Sequence, residues 1–158
     1  MNFLTEHGIS SYGELESKLT AISARRDTAH AEIKRIESRS AELALVMKHA
    51  GTYRQLKPLY DRYRKSNDKE KFLRGHESEI ILFEAAAREL KRLGAVPLPT
   101  TESMKTELAN LSAEKERLLA EYKTARTEAQ EYDTIKQNVD ALLTVAKEQE
   151  QQRRHELE

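Results

Sequence analysis

The 158-residue sequence contains no cysteine and no tryptophan, only 3 prolines and 5 glycines, and few aromatic residues, 6 Tyr and 3 Phe. Each shortage excludes something. Without cysteine there is neither a disulfide framework nor a thiolate zinc site, which fits a reducing compartment. No apolar run approaches the roughly 18 residues of a membrane span. The opening MNFLTEHGIS has no basic stretch followed by a long apolar one, so it does not read as a signal peptide. Nor is there an excess of charge of one sign: 27 basic residues balance 27 acidic ones, and no global field draws the chain to nucleic acid or membrane. These features lead to the expectation of a cytoplasmic chain.

What is present is charge, at 34% of residues, with an apolar share of only 38%. That is the balance of long helices that each bury one narrow stripe, not of a large round core. The length suits one domain. Alternating steps of four and three residues from Leu15 reach Leu19, Ile22, Arg26, Ala29, Ile33, Ile36, Ser40, Leu43 and Met47. The same stepping from Met104 reaches Leu108, Leu111, Lys115, Leu118, Tyr122, Ala125, Ala129, Tyr132, Lys136, Val139, Leu143 and Ala146. This is the seam of a coiled coil. Ser11 with Glu14 reads as a capping box. Thr100 or Thr101, just after Pro97 and Pro99, reads as the second N-cap.

The expected fold is therefore all-α: a long antiparallel coiled-coil hairpin with a small helical tip. Residues 1–9 read as the remnant of a preceding helix, packing through Phe3, Leu4 and Ile9 near Val139 and Leu142–Leu143. Residues 10–50 are the first long helix, 51–99 the tip, 100–150 the second long helix, and 151–158 a polar tail. Leu157–Glu158 read as a cloning remnant and Met1 as an added start. Arg26, Ser40, Lys115 and Lys136 are polar seam residues that fix register at a cost in stability.

Within the tip, Gly51 and Pro58 are expected to kink or break the chain. Residues 53–65 then form a short helix and 66–69 a turn. Residues 76–93 form another helix closed by Gly94, with Ile80, Ile81, Leu82 and Phe83 its best-buried part. Charge is concentrated here: residues 53–75 hold 8 basic and 3 acidic groups. Arg54, Lys57, Arg62, Arg64, Lys65, Lys69, Lys71 and Arg74 are the candidates for phosphate contact. Tyr53, Tyr60 and Tyr63 are candidates for base stacking. The competing account makes the tyrosines core, and the cations solvated or paired with Glu77, Glu79 and Glu84.

Other chemistry is poorly represented. His7, His30, His49, His76 and His155 have no metal-ligand spacing, and His49 reads as a cation near the end of the first helix. Glu114, Glu116, Glu121 and Glu128 fall on outer faces, where helical pairing accounts for them. There is no Gly-rich phosphate loop, no G-x-S-x-G and no cysteine nucleophile. The reading is of a chain without an active site, metal or cofactor.

Three stretches, NFLTEHGISSYGELESKL, YRQLKPLYDRYRKSNDKEKFLRGHESEIILFEAAARELKRLG and LPTTESMKTELANLSAEKERLLAEY, resemble the C-terminal region of relaxase/mobilisation nucleases. These are carried by conjugative and integrative elements of Gram-positive gut bacteria. In that family an N-terminal domain nicks DNA with a tyrosine nucleophile and a metal held by a histidine cluster. This chain has no such cluster, so none of Tyr12, Tyr53, Tyr60, Tyr63, Tyr122 or Tyr132 takes that role. The resemblance implies a non-catalytic region that supports mobilisation of a plasmid or transposon, by DNA contact or by docking other transfer proteins. A protein-interaction or dimerisation module, or a passive spacer, remains the alternative. The chain is expected to be a monomer or a homodimer with no membrane partner.

Overall fold

The computed structural model describes residues 11–157, and the reading of residues 1–9 lies outside them. The described residues form three helices: α1 (Tyr12–Lys65), α2 (Lys69–Arg92) and α3 (Thr101–Leu157). They divide into two compact units, one made of residues up to Ile33 and from Glu116 on, the other of Lys34–Lys115. No described helix is long and apolar enough to cross a membrane.

Both long helices start where their caps predict. The Ser11 hydroxyl accepts a hydrogen bond from the Glu14 amide (3.2 Å), and the Thr100 hydroxyl accepts one from the Ser103 amide (3.1 Å). Each satisfies one of the amides that a helix start leaves without a partner.

In the first unit the seam residues Leu15, Ile22, Ala129 and Tyr132 form a buried cluster, flanked by Tyr12, Leu19, Ile135 and Val139. Burying each Leu or Ile stabilises by roughly 1.5–3 kcal/mol. Polar links border the cluster. The Tyr12 hydroxyl donates to Asp140 Oδ1, Arg25 lies 3.8 Å from Glu128, and the rings of His30 and Tyr122 are 5.7 Å apart. Partner numbers on α3 fall as those on α1 rise. The hydrogen bond to Asp140 pushes the Tyr12 phenol up to about 12, because ionisation would place two negative charges together. Burial raises the Tyr132 phenol. The α3 seam is buried or half-buried through Val139, but Leu143 and its neighbours Leu142 and Val145 are exposed. The expected seam through Leu143 and Ala146 is thus corrected to one ending at Val139.

The second unit contains the remaining seam. Ile36, Leu43, Met104 and Leu111 are buried. Arg39 grips Glu107 with two parallel bonds (Nε to Oε1 2.8 Å, Nη2 to Oε2 3.2 Å) and reaches Glu42 at 3.0 Å. The bond to Glu107 raises the Arg39 guanidinium pKa further.

The expected break at Gly51 and Pro58 does not occur. α1 continues through both to Lys65. From Leu43 the buried face steps to Val46, Ala50, Tyr53 and Tyr60, so the apolar stripe carries on in phase. Packing along that stripe outweighs the roughly 3 kcal/mol that an interior proline costs. His49 accordingly lies mid-helix rather than near a helix end.

α2 spans Lys69–Arg92, but its backbone is non-helical at His76 (φ −138, ψ 25), so a short first piece is joined across a kink to the helix expected over residues 76–93. It buries Ile80, Phe83, Ala86 and Leu90. Ile81 is 54% exposed and Leu82 55%, which corrects the expectation that all four residues 80–83 are buried. Successive helical residues point about 100° apart, so a helix packed on one side cannot cover four in a row. The end of α2 is as expected. Gly94 adopts φ +70, its amide bonds to the Lys91 carbonyl (3.1 Å), and the Ala95 amide bonds to the Leu90 carbonyl (2.9 Å). This is the paired C-terminal motif that favours glycine.

Candidate nucleic-acid interface

The basic segment is folded around the turn between α1 and α2. The turn is built locally. The Ser66 amide bonds to the Tyr63 carbonyl (3.2 Å), and the Asp68 amide to the Ser66 hydroxyl (3.2 Å). Asp68 then caps α2, accepting from the Lys71 amide at 3.1 Å. These bonds end one helix and start the next within three residues, so the cations at both helix ends share one locality.

The aromatic residues lie on the inner side of this turn. Tyr53 and Tyr60 stack on Phe83, with ring centroids 4.8 and 4.3 Å away. Tyr63 meets Phe72 at 6.0 Å, and Phe72 meets His76 at 4.7 Å. All three tyrosines are half-buried. Tyr53 and Tyr60 each place a ring face on Phe83, and Tyr63 meets Tyr60 and Phe72 at a tilt, which favours the packing account of the tyrosines over base stacking.

The eight basic residues are all exposed, but they are not equivalent. Arg54 donates to the Thr101 hydroxyl (2.7 Å) and to the Pro99 carbonyl, tying α1 to the start of α3. Lys57 pairs with Asp61 one turn on, at 3.1 Å. Arg62 lies over the Phe72 ring, 5.7 Å from its centroid, in a cation–π contact. Arg64, Lys65, Lys69, Lys71 and Arg74 make no side-chain ion pair or hydrogen bond among the described residues. Of the three acidic residues offered as their partners, Glu79 instead faces His76, with Oε1 3.6 Å from Nδ1. That nitrogen is buried and has no hydrogen-bond partner.

Helix energetics account for only part of this arrangement. Arg62, Arg64 and Lys65 occupy the last turn of α1, where the macrodipole favours cations. Lys69 and Lys71 occupy the first turn of α2, where it disfavours them.

Sequence reasoning found all eight cations but missed the engagement of Arg54. The in-phase continuation of the seam from Val46 through Ala50 to Tyr53 is the available signal, because it places Arg54 on an unbroken helix. Elsewhere, no group of three or more His, Cys, Asp or Glu able to hold a metal ion occurs among the described residues.

Compared with protein-family models, with curated proteins and with solved structures, the chain matches none of them.

Proposed function

We propose that this chain is a non-catalytic helical region that contacts the phosphate backbone of DNA through Arg64, Lys65, Lys69, Lys71 and Arg74. In this reading its two long helices pair as an antiparallel coiled-coil hairpin. Following the resemblance to relaxase/mobilisation nucleases, the region serves a cytoplasmic DNA-transfer protein, keeping DNA close to a nicking domain.

One observation carries the reading. Arg64, Lys65, Lys69, Lys71 and Arg74 are exposed, make no side-chain ion pair or hydrogen bond among the described residues and flank one turn in sequence, and two of them oppose the dipole of the helix that they begin. Helix stability does not explain Lys69 and Lys71, whereas attraction to phosphate does. The stacked tyrosines point to contact with the backbone and away from the bases.

The test is charge reversal with a matched control. Arg64, Lys65, Lys69 and Lys71 would be changed together to Glu. The control would change Lys105, Lys123, Arg126 and Lys147 to Glu, an equal change in charge on α3. Binding of a fluorescent DNA duplex should disappear in the first variant and persist in the second. Equal loss in both would reduce the effect to net charge and reject a localised site.

A further inference from the structure

We propose that the outward face of α2 is a self-association surface, covered by the same face of a second copy running antiparallel. This inference stands apart from the nucleic-acid reading and uses none of its five cations.

α2 packs through Ile80, Phe83, Ala86 and Leu90, and it leaves Ile81 and Leu82 more than half exposed on its other side. Side by side they form a small exposed apolar patch, the kind of surface at which partners dock. Ser78 and Ala85 lie on the same face at helical spacing. Both are small, so a second helix can approach closely. The charged residues beside Ile81 identify the occupant. Glu77 and Arg88 are both exposed, lie on the Ile81 side of the face, and make no ion pair among the described residues.

A two-fold axis near Ile81 and Leu82 sets these residues on their counterparts in the second copy. It places Ser78 opposite Ala85, and Glu77 within reach of Arg88, each twice. Apolar meets apolar, small meets small, and acid meets base. The face is therefore complementary to itself in this antiparallel arrangement, with the same patch used by both copies as in an isologous contact.

The segment from Glu77 to Arg88 is only about 18 Å long, so the contact is smaller than the ~800 Å² per partner of a standard stable interface. The expected dimer is weak. Sedimentation velocity from about 10 µM to 1 mM spans the range where such contacts assemble. Self-association should appear as concentration rises and vanish in Leu82→Glu. It should weaken in Glu77→Arg and in Arg88→Glu separately, and return when the two are combined. Circular dichroism on each variant checks that the helices remain.

The chain has no cysteine of its own, which permits a second, independent measurement. Ser78→Cys and Ala85→Cys proteins, mixed and mildly oxidised, should cross-link to each other far more than either does to itself. A monomer at 1 mM, a double swap that fails to restore association, or self-linking of Ser78→Cys that equals the mixed product would each overturn the proposal.

Discussion

Replacing Pro58 by alanine should stabilise the protein. Pro58 is exposed and lies seven residues before the end of α1, inside a helix that continues past it. Its ring nitrogen has no hydrogen to donate to the Arg54 carbonyl, and the ring crowds that carbonyl. Together these effects cost about 3 kcal/mol in a helix interior. Alanine removes both without disturbing a buried contact. Against this, alanine frees the unfolded chain that proline had restricted, which offsets about 0.4–1 kcal/mol. The net expectation is a gain of about 2 kcal/mol. With a urea dependence of roughly 1–3 kcal/mol per molar, the unfolding midpoint should rise by about 1 M. Far-UV circular dichroism would follow unfolding, and hydrogen exchange would report whether the new amide at position 58 is protected. An unchanged or lowered midpoint with an unprotected amide would mean that α1 breaks at Pro58, contrary to the packing described above.

Three further positions, two glycines and a tyrosine, give predictions of definite sign. Gly51 is helical and a Cβ there meets nothing within 4 Å, so Gly51→Ala should stabilise by about 0.5–1 kcal/mol in urea unfolding. Gly94 has equally open surroundings but a φ of +70, so Gly94→Ala should destabilise by about 1–2 kcal/mol. Tyr12 should ionise near pH 12 instead of near 10, and Asp140→Asn should bring it back down, as read by absorbance of the phenolate. The folded-state value is the higher one, so the stability from this pair is full below pH 10 and lost as pH rises towards 12. Asp140→Asn should flatten that loss.

The parts of the fold that were legible in the sequence are those governed by periodicity. Leu15 to Met47 and Met104 to Val139 are buried or half-buried at every step, the polar Arg26, Ser40, Lys115 and Lys136 included, because a seam between helices favours apolar residues at that spacing. Ser11, Thr100 and Gly94 were legible because caps are local. Pro58 was misread because its cost is local while the stacking of Tyr53 and Tyr60 on Phe83 is tertiary. Ile81 and Leu82 were misread because composition says that a run is apolar but not how many sides of the helix are covered. In the basic segment the charges themselves were evident. Which of them are engaged was not, since Arg54 finds its partners at Pro99 and Thr101, 45 and 47 residues away.

The central claim is that unpaired cations around the α1–α2 turn hold DNA by its phosphates. The most direct measurement is the salt dependence of binding, with fluorescent single- and double-stranded DNA titrated across a series of salt concentrations. If all five cations contact phosphates, log K against log salt should fall with a slope of about −4.5 on duplex and about −3.5 on single strands. Tyr60→Phe should leave both slopes unchanged, and Lys69→Ala should reduce each by about one contact. No binding even at low salt, or binding whose slope is untouched by Lys69→Ala, would contradict the account.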